Sequence, residues 1–414
     1  MKKRKNVIYN VWFAYVMFYI CFKHLFANDN FLYLIMDVIF FMIILEGIYC
    51  EVRINNRAWW GLFVVLIIDM FFTVFYAISI ADAVKFSIVY LNFIAIGFWF
   101  TQLSGWQTVF YKWIKAGCLF HLIFTYFSVI FTEQALKITR YFYTDNVQQT
   151  VVRWAKEFNF YAGISGQTGT NAFFFAILIG LFFAELRVGH GNKLTRILFY
   201  ASWGGMLFTG KKGLLIAAFL SILAVYCATC RKAIKRKLLI TSSVTFFPII
   251  LLCIIFYKQL YDLFYFSIFT RVRIMNGMLL TIRERPFLGS GVNSVGKFTY
   301  DGHLGHNIYL QMWAEQGIVG LIILLLALWL TLRMTYVRIK GRSINEGSQM
   351  SSFFSFYMQV FVIIYGFFGN PLYDYNVVVT YFIAIAAGFA DIRPNNIAMR
   401  RTLATGVKNV NICD

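Results

Sequence analysis

Hydrophobic residues along this chain fall into long runs that short polar segments separate. A helix that crosses the hydrocarbon core of a bilayer needs about 20 mostly apolar residues, since each residue adds about 1.5 Å. About twelve runs approach that length, so the pattern predicts an all-α, polytopic membrane protein with about twelve transmembrane helices. The predicted spans lie near residues 7–26, 31–50, 58–79, 84–103, 109–132, 170–186, 194–209, 213–230, 238–257, 313–333, 353–369 and 375–391.

Composition supports the membrane prediction. Of the 414 residues, 60% are hydrophobic and 14% are charged, whereas soluble domains carry about 25% charged residues. One soluble core could not bury so many apolar side chains, so we predict a single integral membrane domain over residues 1–414. The first run follows a Lys-Lys-Arg-Lys segment and lacks a small-residue cleavage site. A basic segment also precedes signal peptides, but the length of the run, about twenty residues, and the missing cleavage site favour a retained first span.

Basic residues indicate the orientation of the chain. Short loops rich in Lys and Arg stay on the cytoplasmic side of a membrane, and such loops alternate along this sequence if the N-terminus is cytoplasmic. The even number of predicted spans then puts both termini inside. Topology explains most of the net charge of +20. We do not expect nucleic-acid binding, because the sequence shows no soluble basic domain. The basic segments lie near residues 53–57, 112–115, 187–196, 231–237, 333–342 and 393–408.

Two predicted outer segments, residues 133–170 and 258–312, are long enough to do more than connect spans. The second is basic, which opposes the topological trend, and the turn with Lys211 and Lys212 adds two lysines on the same side. One explanation of this positive charge requires no ligand, because long outer loops are translocated regardless of charge and basic residues can contact lipid headgroups. At the mouth of the bundle, however, Lys212 and Arg271 favour binding of an anion such as a diphosphate.

Helical spacing in the second outer segment predicts short interfacial helices. Charged and apolar residues recur there at intervals of three and four, which is typical of an amphipathic helix. We expect this helix to lie in the outer membrane interface. The stripe consists of Arg271, Met275, Met278, Leu279 and Ile282.

A polar loop ends at His306-Asn307 and leads into the tenth predicted span. An imidazole with a pKa near 6.5 is mostly neutral at pH 7 and can accept a proton, so His306 is the candidate general base. A helix cap or an interfacial polar group is the alternative role, and His303 competes within the same loop. On a helix that starts near His306, Glu315 lies nine residues on and about 180° round, which favours a structural or positioning role.

An ordered set of short motifs resembles the C-terminal signature of the O-antigen ligase and Wzy-type polymerase superfamily. That signature has a proline and a Gly-x-Gly, a short loop, His-Asn, and a Glu-x-Gly-x-x-Gly that enters a helix. The family also shows an arginine about fifteen residues before the proline, at the start of an amphipathic helix, and Arg271 stands at that place. The pieces here are Pro286, Gly289, Gly291, His306, Asn307, Glu315, Gly317 and Gly320.

Two further turns resemble family turns, each with a departure. Residues 209–213 resemble a Thr-Gly-Ser-Arg-Gly turn, with Lys212 where the family arginine stands. Lysine lacks the bidentate guanidinium fork, so either Lys212 acts as a point charge, with Lys211 beside it, or another residue such as Arg273 replaces it. Residues 166–171 resemble the Gly-to-Pro-Asn turn before the sixth span, without its proline. An ordinary helix-entry turn is the alternative there.

The resemblance implies a bacterial plasma-membrane glycosyltransferase with its site on the outer face. The donor would be a polyprenyl-diphosphate-linked oligosaccharide, and a hydroxyl of an acceptor sugar would attack its anomeric carbon. No metal ion or cofactor is expected, since cationic side chains neutralise the diphosphate. The implied partners are membrane lipids, a chain-length regulator and a flippase. The implied roles are general base for His306, diphosphate binding for Arg271, Lys212, Lys211 and Arg273, and support for Asn307, Glu315, Asn171 and Gln167.

Several activities remain open from the sequence. Polymerisation of repeat units into a capsule, exopolysaccharide or O-antigen is preferred, but ligation of a glycan to a separate acceptor shares the same motifs. Asp37, Asp69 and His121 lie within predicted spans, and such residues keep a transporter or flippase of lipid-linked oligosaccharide open. A transporter tends to have two related halves, and no internal repeat is visible. A non-catalytic assembly subunit is the third alternative.

Overall fold

The structure is a computed structural model that describes residues 2–22, 30–49, 58–229, 257–299, 305–340 and 346–390. These residues form helices joined by turns, and no strand occurs among them. The prediction of an all-α chain is therefore confirmed for the described residues. The ninth predicted span, near residues 238–257, lies outside them except for its last residue, Tyr257.

Local sequence explains several helix ends. Asn192 accepts a hydrogen bond from the backbone of Thr195 ahead of one helix, as a good N-cap does. Gly189 ends another helix in the left-handed conformation that glycine adopts without strain. The α-helices are α1 (Lys2–Phe22), α2 (Asn30–Tyr49), α3 (Gly61–Thr73), α4 (Ile80–Gln102), α5 (Gln107–Ile130), α6 (Thr132–Arg140), α7 (Asp145–Phe158), α8 (Thr168–Val188), α9 (Lys193–Phe208), α10 (Lys212–Thr229), α11 (Tyr257–Glu284), α12 (Ile308–Lys340), α13 (Glu346–Tyr365) and α14 (Tyr375–Phe389). Short 3₁₀ helices cover Ala58–Trp60, Val74–Tyr76 and Val295–Lys297.

Five helices of the described chain are long and apolar enough to cross a membrane, namely α4, α5, α8, α10 and α12. Three further apolar stretches are shorter: Val7–Phe22, Gly61–Tyr76 and Tyr375–Phe389. Several apolar helices of this length are compatible with a multi-pass membrane protein. The figure of twelve spans stays a prediction.

The core of the bundle forms around α8 and α14. Both helices are buried on all sides along most of their length. A Cβ at Gly180 of α8 would overlap the ring of Tyr357 of α13, whose hydroxyl donates to the carbonyl of Ala176 at 3.0 Å. Peripheral helices instead expose apolar side chains such as Ile48 and Phe72. That distribution suits a bundle that is surrounded by lipid.

Helices α5 and α8 run antiparallel, which defines two ends of the bundle. At one end the amide of Asn171, near the start of α8, donates to Thr125 of α5 at 2.9 Å. At the other end Lys115 of α5 forms an ion pair with Glu185 of α8. We call the end with Thr125 and Asn171 the upper end.

The first predicted outer segment, residues 133–170, holds the two short helices α6 and α7. Lys156 of α7 pairs with Glu133 of α6 at 2.9 Å, and both are exposed. The two helices enclose a small core of their own, formed by Leu136, Tyr143, Val151, Ala155 and Ala162.

The second predicted outer segment, residues 258–312, differs from expectation. Short interfacial helices were predicted, but most of its described part is one helix of 28 residues, α11. Arg271 lies in the middle of this helix and not at its start. The predicted stripe is also divided, because Met278 is buried while Leu279 is exposed. Burial follows Ile274, Met278 and Ile282, which pack against Val295 and Ala314.

Candidate functional site

The turn between α9 and α10 has a backbone that favours glycine at its centre. Gly210 has a φ of +67°, and a Cβ there would overlap the ring of Phe160. The hydroxyl of Thr209 accepts the backbone N–H of Lys211 at 3.3 Å. Helix α10 begins one residue later, at Lys212. The turn therefore holds the backbone of Lys211 at the upper end of the bundle.

Lys211 lies close to Arg271 of α11. Burial of its ammonium and, second, the charge of Arg271 lower the pKa of Lys211 below its usual value. The residue as a whole keeps an exposed surface, so the ammonium lies in a recess that opens to solvent. Two cations held together repel each other, and an anion placed between them removes that repulsion. These two predicted diphosphate-binding residues are thus brought together.

The first turn of α8 adds a third positive element beside Lys211. A Cβ at Gly169 would lie 3.9 Å from the Cε of Lys211. Gln167 precedes the helix and does not cap it, because its side-chain oxygen instead faces the hydroxyl of Thr170 at 3.4 Å. A helix N-terminus carries about half a positive charge and binds anions with its free N–H groups. The exposed Gln167 side chain lies at the edge of this element.

Asn171 has a structural position. Its side chain is fully buried, and its amide donates to the hydroxyl of Thr125 and, at 3.1 Å, to the carbonyl of Tyr161. A Cβ at Gly163 would lie 2.9 Å from this side chain. Asn171 therefore ties α5, α8 and the chain before α8 together, and supports the turn that carries Gln167.

Arg273 lies on another side of α11. It follows Arg271 by two residues, which is about 200° of helical rotation. Its guanidinium lies 4.4 Å from the ring centroid of Phe269, one turn earlier on the same helix. The structure thus pairs Arg271 with Lys211, and places Arg273 against an aromatic ring away from that pair.

His306 and Asn307 precede α12 and have different roles in its start. Asn307 is the N-cap, because its side-chain oxygen accepts the N–H groups of Tyr309 at 3.0 Å and Leu310 at 3.1 Å. His306 has an exposed side chain and a φ of +49°, a left-handed value that is uncommon outside glycine. The helix begins at Ile308, two residues after His306, so its start lies near His306 as predicted. His306 itself precedes the helix and has a left-handed backbone, so the predicted angle of 180° between His306 and Glu315 does not apply.

Contacts bring the loop of His306 to the same helix as Arg271. A Cβ at Gly305 would collide with the sulfur of Met278 on α11. Met278 is seven residues after Arg271, which is about 10 Å along a helix. His303, the competing histidine, lies outside the described residues.

The loop after α13 joins the remaining pieces at the upper end. A Cβ at Gly213, next to Lys212 in the first turn of α10, would lie 2.8 Å from Phe368. Two residues earlier in that loop, the carbonyl of Gly366 accepts the first N–H of α12, from Ile308, at 2.9 Å. Lys212 itself is exposed. The starts of α8, α10 and α12 and the middle of α11 therefore meet at one end of the bundle.

Glu315 lies inside α12 and is completely buried. Its carboxylate accepts four hydrogen bonds, from the backbones of Asn293 at 2.8 Å and Val295 at 3.1 Å, from the amide of Gln311 at 3.1 Å and from the hydroxyl of Tyr373 at 2.5 Å. A buried carboxylate needs such donors because it has lost its water. The predicted supporting role of Glu315 thus corresponds to a buried network.

The Gly-x-Gly loop docks on a break in α12. Gly317 has a φ of +68°, and a Cβ there would overlap the carbonyl of Phe287. Gly289 approaches the backbone of Glu315 so closely that a Cβ would overlap it as well. Beyond the break, the N–H of Ile318 donates to the carbonyl of Pro286 at 2.9 Å. These glycines permit contact between two backbones, which explains their place in the motif.

An aromatic cleft of about 220 Å³ opens beside Lys211. Trp154 and Phe158 come from one face of α7, because they are four residues apart. The ammonium of Lys211 lies 6.0 Å from the ring centroid of Trp154. The lining consists of Trp154, Phe158, Phe160, Thr168, Thr209, Gly210 and Lys211.

Sequence reasoning missed two important residues. Trp154 had a readable signal, since it shares a helical face with Phe158 in an aromatic outer segment. Tyr373 had none, because it lies in a short connection and meets Glu315 only through the fold, across 58 residues of chain. Aromatic residues at helical spacing in a long outer segment could have identified the cleft in advance.

Within the part of the chain that the structure describes, no three His, Cys, Asp or Glu side chains come together as metal ligands would. Metal independence stays a prediction. No protein-family model matches this chain, and no curated protein matches it.

Proposed function

We propose that this protein is a membrane glycosyltransferase that polymerises polyprenyl-diphosphate-linked oligosaccharide repeat units on the outer face of a bacterial plasma membrane. The observation that carries the proposal is the pair of cations, Lys211 and Arg271, beside the uncapped start of α8. Charge accumulates on a diphosphate as it leaves an anomeric carbon. Cationic groups already fixed in place stabilise that charge most effectively.

His306 supplies the second requirement of the reaction. An acceptor hydroxyl attacks the anomeric carbon, the bond from that carbon to the diphosphate oxygen breaks, and the hydroxyl proton passes to the imidazole of His306. The polyprenyl diphosphate leaves with both electrons of the broken bond. The exposed side chain of His306, on a loop against the helix that carries Arg271, supports this division of roles. The proton then returns to solvent.

The most direct test is reconstitution. The purified full chain in liposomes would be given a synthetic short-chain lipid-linked repeat unit on its accessible face, and products would be separated by size. We expect a ladder of polymers. A single transfer product to a separate acceptor would favour a ligase. No new glycosidic bond with any donor would overturn the proposal.

Matched variants test the assigned roles. We expect Arg271→Ala to lower the turnover by about 100-fold or more, which is the usual effect of removing one group that stabilises charge in a transition state. His306→Ala should lower it by about 10² to 10⁴-fold. Arg283→Ala is the control, because Arg283 is an exposed cation on the same helix. Equal losses in all three variants would contradict the assignment.

A further inference from the structure

The aromatic cleft beside Lys211 is a built feature of the upper end. Its floor is fixed, because Phe160 packs directly on the backbone of Gly210. Its wall is α7, which presents Trp154 and Phe158 one turn apart, and the rings of Phe158 and Phe160 stack with centroids 6.1 Å apart. Three aromatic side chains therefore line the cleft, together with Thr168, Thr209 and Lys211.

The size of the cleft selects a small ligand. Its volume of about 220 Å³ is below the roughly 300 to 1,000 Å³ of pockets that take drug-sized molecules. A single sugar ring suits this space, whereas an oligosaccharide or a folded polyprenyl chain does not. A pyranose also has the matching chemistry, since its C–H face suits the negative face of an aromatic ring and its hydroxyls suit polar groups.

Lys211 belongs both to the cleft and to the cation pair. Its ammonium lies 6.0 Å from the ring centroid of Trp154, and the charge of Arg271 acts on the same ammonium. A diphosphate bound to these cations therefore has one end at the mouth of the cleft. The donor group that is bonded to this end of the diphosphate can therefore enter the cleft.

From this arrangement, and resting on the proposed function, we infer that the cleft formed by Trp154, Phe158 and Phe160 holds the sugar that is bonded directly to the donor diphosphate. The enzyme then selects its donor by the identity of the first sugar. More distant sugars of the repeat unit lie outside the cleft, and changes in them alter donor affinity little.

Binding measurements on the purified full chain test this inference. The probes are farnesyl diphosphate and a panel of farnesyl-diphosphate-linked monosaccharides that differ in the sugar. We expect the best sugar-bearing probe to bind at least about tenfold more tightly than farnesyl diphosphate. Trp154→Ala should remove most of that advantage, measured as the ratio of the two affinities within the same protein. Trp154→Phe should retain part of it, because an aromatic face remains.

Controls separate this result from misfolding and from failure of the proposed function. Tyr141→Ala removes an aromatic residue of the same segment that is 87% exposed and does not line the cleft, so it should change neither affinity. Equal binding of sugar-bearing and sugar-free probes, or an unchanged advantage in a folded Trp154→Ala protein, would overturn the inference and leave the proposed function intact. If no diphosphate probe binds the wild-type chain, the proposed function and this inference both fail.

Discussion

Two regions at the upper end, both marked by motif residues, are built in opposite ways. Around Glu315 the buried carboxylate is matched by four donors, and glycines let a loop lie directly on α12. Around Lys211 two cations lie together beside a helix N-terminus and an open cleft. In the first region the carboxylate of Glu315 has its hydrogen-bond donors within the protein. In the second region, a bound anion would remove the repulsion between the two cations.

This difference distinguishes residues that maintain the fold from residues that are available to bind a ligand. A buried, fully bonded network is rigid and costly to disturb, because each broken bond leaves a desolvated partner behind. Cations held against their own repulsion lower stability slightly but bind an anion more strongly. Motif residues such as Glu315 and Gly317 are therefore expected to maintain the fold, and Lys211 and Arg271 to bind substrate.

The largest expected effect is a loss of folded protein when a methyl group is added at Gly317. In Gly317→Ala the new Cβ would overlap the carbonyl of Phe287 at a residue with φ of +68°, so we expect little folded protein to be recovered. Size-exclusion chromatography in detergent would measure the recovery. Gly61→Ala is the control, because a Cβ there meets no atom within 4 Å. Normal recovery of Gly317→Ala would refute the close backbone contact.

Removal of the buried carboxylate should have the next largest effect. Glu315→Ala leaves the N–H groups of Asn293 and Val295 and the hydroxyl of Tyr373 without their acceptor. At about 1 to 3 kcal/mol for each buried unsatisfied group, we expect these three groups to cost at least about 3 kcal/mol of stability. Thermal unfolding would measure it. Glu133→Ala, which removes an exposed partner of Lys156, should change the melting temperature little, and a similar melting temperature for both variants would contradict the network.

A smaller effect concerns pH and the cation pair. Burial and the charge of Arg271 lower the pKa of Lys211. Its ammonium is therefore fully charged below that lowered pKa and is lost as the pH rises through it, before an ordinary lysine would deprotonate. Affinity for farnesyl diphosphate should decline over the same range. Arginine stays protonated, so Lys211→Arg should keep its affinity at alkaline pH. An identical alkaline decline in both proteins would exclude Lys211 as its cause.

Much of the helical framework was readable from the sequence. The apolar runs near residues 84–103 and 109–132 correspond to α4 and α5, because hydrophobic length largely determines where a membrane helix forms. The long helix α11 was not foreseen, since charges such as Arg271 and Arg273 interrupt its apolar pattern. Whether such a segment continues as one helix depends on its tertiary contacts, here those of Met278.

The candidate site was only partly predictable. Residues near a helix start, such as Asn307, have local signals because capping depends on neighbouring N–H groups. The choice of Lys211 over Arg273 as the neighbour of Arg271 depends on how α10 and α11 pack, which no local pattern encodes. The partnership between Glu315 and Tyr373 is equally a product of tertiary structure.

The most direct measurement of the central claim is a double-mutant cycle on the affinity for farnesyl diphosphate. It compares the wild-type chain with Lys211→Ala, Arg271→Ala and the double variant. If both cations hold one diphosphate, each single change should weaken binding by about 10 to 100-fold, and the double change should cost less than the product of the two. Unchanged affinity in either single variant, or strictly independent effects in the double variant, would contradict the account.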